Sequence, residues 1–160
     1  MRELKFKAFH IPTKTMYWFD LMWGNNGHGN GYIGMAPFGE PMTKYKHRDN
    51  LINVDPTDCE LMQFTGLHHQ GTTEVYQDDV LYDEIEHDHG DERLFYVITW
   101  INERASFAFL TAQERKDYDE QGLSAIDRDF EGFYYELDQD SLDKMHLKGN
   151  IHDTEPTVLI

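Results

Sequence analysis

Two runs of strand-forming residues, Leu94-Phe-Tyr-Val-Ile-Thr-Trp-Ile101 and Ser106-Phe-Ala-Phe-Leu110, stand only four residues apart. β-Branched and aromatic side chains fit a pleated surface better than a helix, and Asn102-Glu-Arg-Ala105 has the length of a hairpin connection. The pair predicts an antiparallel hairpin at the centre of the core. The same patterning recurs at the N-terminus. Leu4, Phe6 and Ala8 alternate with Lys5 and Lys7, Ile11-Pro-Thr-Lys14 reads as a turn, and Thr15-Met-Tyr-Trp-Phe-Asp-Leu-Met-Trp23 is dense in strand formers. Residues 2–23 are thus expected to form an N-terminal β-hairpin with a largely basic outer face.

Further short strands are expected at 51–54, 60–64, 80–85, 130–137 and 147–151. One helix has local signals at both ends. Thr111-Ala-Gln-Glu114 is a capping box, and Gly122 is a C-terminal stop, so residues 112–121 should be helical with Ala112 and Tyr118 as the main apolar contacts. A shorter helical turn is expected over 141–145. The order predicts a mainly β fold with one or two short helices.

Residues 24–44 interrupt the pattern. Six glycines with Pro37 and Pro41 predict a long, mobile loop. Within it, Gly29-Asn-Gly-Tyr-Ile-Gly34 matches the dinucleotide fingerprint literally. That motif works only where a helix leaves it, because the helix N-terminus supplies the N–H groups that hold the pyrophosphate. Two prolines follow almost at once, so the glycines are read as a connection.

The 160 residues point to one domain, 1–160, with ample aromatic material for a core. No apolar run reaches the length of a membrane span, and the charged opening Met1-Arg-Glu-Leu-Lys-Phe-Lys7 lacks a leader's apolar stretch, so a cytoplasmic protein is expected. The single Cys59 excludes an intramolecular disulfide and a multi-cysteine metal site. Charge is uneven. Residues 1–50 carry 7 Lys/Arg against 4 Asp/Glu, and the remaining 110 carry 7 against 26, for a total of −16. Direct nucleic-acid binding relies on a basic footprint and is disfavoured here, whereas a basic host protein or a cation fits better. Acidity that only keeps the protein soluble is the plainer alternative.

Leu61-Met-Gln-Phe-Thr-Gly-Leu67, then Gly71, then Glu74-Val-Tyr-Gln-Asp-Asp-Val80 together resemble the core motif of the YopX family of phage and prophage proteins. The opening Met1 to Phe9 with Lys14 and Met16, and the closing Gly149-Asn-Ile151 with Pro156, are similar to that family's ends. The motif residues are Leu61, Met62, Gln63, Phe64, Thr65, Gly66, Leu67, Tyr76, Asp79, Val80, Gly149, Asn150 and Ile151. The resemblance implies a small barrel-like domain of SH3 type, a phage or prophage origin and self-association. It implies no reaction and no cofactor. Two departures stand out: Asp78 occupies the position of a family glycine, and the closing segment carries an additional residue before Pro156. Residues 24–39 look like an insertion. Val75-Tyr76, the Asp78-Asp79 bend and Val80 to Tyr82 read as strand, turn and strand.

One segment has the composition of a metal site: Asp83-Glu-Ile-Glu-His87-Asp-His89-Gly-Asp-Glu92. His87 and His89 would share a face on a strand, and imidazole with carboxylate suits zinc, manganese or nickel. A solvated acidic loop is the plainer expectation, and His68-His69 are likewise read as exposed. Cys59 lies between Asp58 and Glu60, which raise a thiol pKa, so it is read as inert. Ser106, Ser124 and Ser141 lack the context of a nucleophile. No catalytic residue is assigned. Three readings follow: a self-associating interaction module, an acidic mimic of nucleic acid directed at a host DNA-binding protein, and a metal-dependent enzyme built on His87 and His89.

Overall fold

The computed structural model describes residues 5–25, 31–37, 52–87, 90–126 and 135–152. They fall into two compact units, residues 1–64 and 65–160. The fold is mainly β with two short α-helices among the described residues, as predicted.

The first unit contains β1 (Phe6–His10), β2 (Thr15–Asn25), β3 (Gly31–Pro37), β4 (Ile52–Val54) and the start of β5 (Cys59–His69). Its strands are ordered β4-β3-β2-β1-β5, and β1 is antiparallel to both β2 and β5. Ala8 faces Tyr17 on one side and Leu61 on the other, and it is fully buried with Met62. The N-terminal hairpin is present, with its described part starting after residue 4. The Gly/Pro segment departs from expectation, because Gly31–Pro37 is a strand held by β2 and β4. Tyr32, Ile33 and Met35 supply strand formers there, and a glycine keeps both backbone hydrogen-bonding groups while lacking only a side chain to pack. Pairing on both edges offsets the roughly 0.5–1 kcal/mol that each glycine costs. Gly31 and Gly34 therefore sit in a sheet, which is not the strand-to-helix turn of a nucleotide site. Residues 26–30 and 38–51 lie outside the described residues.

The second unit holds β6 (Thr73–Tyr76), β7 (Asp79–His87), β8 (Gly90–Ile101), β9 (Ser106–Leu110), α1 (Ala112–Gln121), β10 (Tyr135–Glu136), α2 (Gln139–Lys144) and β11 (His146–Asn150). Five of its strands are ordered β10-β9-β8-β7-β11. The β8–β9 hairpin matches the sequence reading, closing on Ile101 opposite Ser106. The expected loop after Phe64 is instead the continuation of β5 to His69, with the reversal at Gln70 and Gly71, both at positive φ. The acidic segment 83–92, read as a loop, is also paired: Asp83 faces Leu94, and the register runs on to His87 opposite Gly90. Pairing with the next strand decides both cases, and composition alone does not show it.

Two apolar layers sandwich the sheet. Leu81, Ile98, Phe107 and Phe109 pack with Val75 and with Leu142 of α2. On the opposite side Ile101, Ala108 and Leu110 pack with Tyr118 of α1 and with Ile126. Helix α1 has the predicted limits, and both halves of the Thr111/Glu114 capping box form. Of its two expected apolar contacts, Tyr118 is the buried one. The Tyr118 hydroxyl accepts from the Asn102 N–H and donates to Glu103, each at 2.9 Å, which seats the helix on the β8–β9 turn. Helix α2 is longer than the expected 141–145, because Asp138 caps it from the N-terminal side. Of the strand expected at 130–137, only β10 and residue 137 are described.

Candidate functional site

Part of the motif that carries the family resemblance, Tyr76, Asp79, Val80 and Asn150, meets at the β6–β7 turn. Asp79 and Asn150 are register partners of β7 and β11. One Asp79 carboxylate oxygen accepts from the Tyr76 N–H at 2.8 Å, and the other accepts from the Asn150 amide at 3.1 Å. The Asn150 oxygen in turn accepts from the His152 N–H at 3.2 Å. Asp78 adds two backbone ties, donating to the Ile98 carbonyl at 2.8 Å and accepting from the Ile151 N–H at 3.0 Å. Asp78, Asp79, Thr99 and Asn150 are all buried. Buried polar groups cost free energy unless paired, so this cluster fixes the join between β7 and β11.

Arg115 of α1 closes the cluster. Its guanidinium donates to the Asp78 carboxylate at 2.7 Å and to the Thr99 hydroxyl at 3.2 Å, and its Nε donates to Asp119 at 3.0 Å. Burial works against the charge, yet the attraction of Asp78 and Asp119 outweighs it and raises the Arg115 pKa above its ordinary value. Nothing in the linear sequence links Arg115 to Asp78.

The other half of the motif lies on β5. Met62 and Phe64 are buried, whereas Leu61 is 43% exposed. Gly66 takes φ 90°, a value closed to most side chains. Across it, the Thr65 hydroxyl accepts from the Leu67 N–H at 3.1 Å and donates to the Val75 carbonyl at 2.8 Å. The Thr65 hydroxyl thus ties β5 to β6.

A row of aromatic side chains lies on the side of the second sheet that carries α1. His146, Tyr82 and Phe95 stand in one row across β11, β7 and β8. Tyr82 stacks on His146 at 4.9 Å and 20°, and it meets Phe95 at 5.7 Å. Arg93 lies over the Tyr82 ring at 5.1 Å, and Lys148 over the Phe95 ring at 5.7 Å. Arg93 also pairs with Glu84 at 2.9 Å. Both rings are half-buried, and His146, Lys148 and Arg93 are exposed. Cations held over rings keep an apolar surface wetted while leaving it available to a partner. Sequence reasoning missed this row because it depends on the register of three strands.

The metal pair expected from the sequence, His87 and His89, falls at the tip of the β7–β8 ribbon. β7 is described to His87 and β8 from Gly90. His89 and the His87 side chain lie outside the described residues, among which no group of three metal-ligating side chains occurs. His68 and His69 are half-buried on β5 rather than exposed. The His69 Nε2 donates to the Met145 carbonyl at 2.8 Å, and the His68 carbonyl accepts from Gln139 at 2.7 Å, so this pair anchors α2. Burial, then the charges of Asp58 and Asp55, push the Cys59 thiol pKa up, and its sulfur donates to the Asp55 carbonyl. That is the environment of an unreactive thiol. No helix among the described residues is long and apolar enough to cross a membrane.

The chain is thus a mainly β protein with a buried carboxylate–amide cluster built from its own motif. The profile of the YopX protein family matches residues 5–156, through both units, and the chain belongs to that family. No curated protein matches it. Among solved structures it is similar to the crystal structure of protein EF1440 from Enterococcus faecalis, at 16% identity and a TM-score of 0.49, with 100% of each chain covered.

Proposed function

We propose that this chain is an interaction module that assembles with copies of itself, in the cytoplasm of a bacterium that carries it on a phage or prophage. The observation that carries the self-association is the row His146, Tyr82 and Phe95, in which both rings are half-buried and the histidine is exposed. Aromatic residues and arginine are the side chains that most often dominate binding at interfaces. The family resemblance supports the phage setting. Size-exclusion chromatography with light scattering tests the assembly: a mass above 18.9 kDa is expected, and a single 18.9 kDa species at micromolar concentration overturns it.

Charge favours a second reading, an acidic surrogate for nucleic acid that occupies a basic groove of a host protein. Residues 65–160 carry 7 Lys/Arg against 23 Asp/Glu, so they alone account for −16. A single basic partner retained from host lysate at high salt supports it. Retention that vanishes with salt reduces it to general charge attraction.

A further inference from the structure

Strands β9 and β10 are neighbours, with Phe109 facing Tyr135. Between them the chain leaves the sheet after Leu110, forms α1, and re-enters beside the point where it left. No strand pairing of the order β10-β9-β8-β7-β11 runs through the helix. An element whose two ends are fixed at adjoining positions of one sheet can lift without unpairing a strand.

Little apolar surface holds α1 down. Of its ten residues only Tyr118 is buried, and Ile126 joins it in the same apolar layer. A helix of about three turns is marginal in water by itself, so its persistence depends on what it touches. Much of that hold is polar: Arg115 to Asp78 and Thr99, and the Tyr118 hydroxyl to Asn102 and Glu103. The other side of the sheet is built differently. There Val75, Leu81, Ile98, Phe107 and Phe109 are buried together, and their helical partner is Leu142 of α2. That layer keeps the sheet folded whether α1 is seated or not.

We infer that α1, with the turn that leads to Ile126, is a lid that opens on the intact sheet and uncovers Thr99, Ile101, Ala108 and Leu110. The Arg115–Asp78 ion pair is its latch. Phe95, Val97, Thr99 and Ile101 alternate onto one side of β8, so the open state presents one continuous face that runs on from the Tyr82–Phe95 row. Exposing buried Ile101, Ala108 and Leu110 costs free energy, which makes the open state the minor one. The device concerns α1 alone and does not rest on self-association.

Hydrogen exchange of the full chain, followed amide by amide by NMR over a series of urea concentrations below the unfolding transition, tests it. In the unaltered protein the amides from Arg115 to Gly122 are expected to be at least about tenfold less protected than those from Val97 to Ile101 of β8. They should also share one small urea slope, because lifting the lid exposes far less surface than global unfolding. Leu142→Val thins the layer on the other side, which the open and closed lids both keep. It should speed the β8 amides about threefold or more and leave the α1 amides within about twofold. Arg115→Met removes the latch and should speed the α1 amides. Equal protection and equal urea slopes for α1 and β8 overturn the lid, as do α1 amides that exchange one by one with no common slope. A Leu142→Val protein in which α1 speeds up as much as β8 overturns it too. Should that variant fail to fold, the urea series on the unaltered protein decides alone.

Discussion

Arg115 of α1 donates to the carboxylate of Asp78 across 2.7 Å, and Asp78 holds a backbone conformation, φ 65°, that favours glycine. The two facts belong together. An aspartate at a family glycine position pays conformational strain of about 1–2 kcal/mol, and in this chain it gains a nearly buried ion pair that fastens a helix to the β6–β7 turn. The Asp78 side chain is 8% exposed and that of Arg115 24%. The departure from the family pattern is compensated by a residue 37 positions away.

Arg115→Met is therefore expected to destabilise the protein by about 2–3 kcal/mol, since it leaves a buried carboxylate without its counter-charge. Asp78→Gly alone relieves the strain but strands the guanidinium, so it is also expected to destabilise. The double variant Asp78→Gly/Arg115→Met should be more stable than either single one. A urea-denaturation double-mutant cycle measures this, and additive single effects would show that the pair is not coupled.

Asp79 gives a harsher test of the buried cluster. Asp79→Ala removes the acceptor of the Tyr76 N–H and of the Asn150 amide together. At about 1–3 kcal/mol for each stranded group, a loss of about 2–4 kcal/mol is expected, with faster hydrogen exchange at Tyr76. A change of only about 0.5 kcal/mol, the range of ordinary surface positions, contradicts an architectural role.

Where structure follows from neighbouring residues, the sequence was readable. Thr111, Glu114 and Gly122 set the limits of α1 through local bonds, and the β8–β9 hairpin needs only its two runs and a short connection. Glycine-rich β3 was not readable, because its strand state comes from the backbones of β2 and β4. The acidic ribbon 83–92 was not readable either, since composition suggests solvent while register imposes pairing. The family motif was visible as a pattern in Tyr76, Asp79 and Asn150. Its purpose emerges only when residues 71 positions apart meet.

Acid should loosen α2 in a definable way. Asp138 accepts from the Ser141 N–H at 2.8 Å and from the Ser141 hydroxyl at 2.9 Å. Those bonds, the backbone one foremost, hold its carboxyl below the ordinary carboxylate value. A depressed folded pKa contributes stability that is fully present above the ordinary value and is lost as pH falls through the folded one. Asn also caps helices but does not titrate. Asp138→Asn should therefore match the parent near neutral pH and lose less melting temperature on acidification through the carboxylate range. Parallel curves for the two proteins would remove Asp138 from the acid response.

The remaining chemistry is the histidine pair, and one experiment separates its two readings. A metal site on His87 and His89 needs both imidazoles on one side, and a solvated acidic segment is the plainer reading of that sequence. On the plainer reading the two behave as surface residues. His87→Ala/His89→Ala should change stability within about 0.5 kcal/mol, and zinc or manganese should leave the melting temperature of the parent unchanged. A genuine site responds differently. A metal at about 100 times its dissociation constant adds about 2.7 kcal/mol by mass action, and the double variant must lose that gain. A metal-dependent rise in melting temperature that disappears with the two histidines would move metal chemistry ahead of self-association.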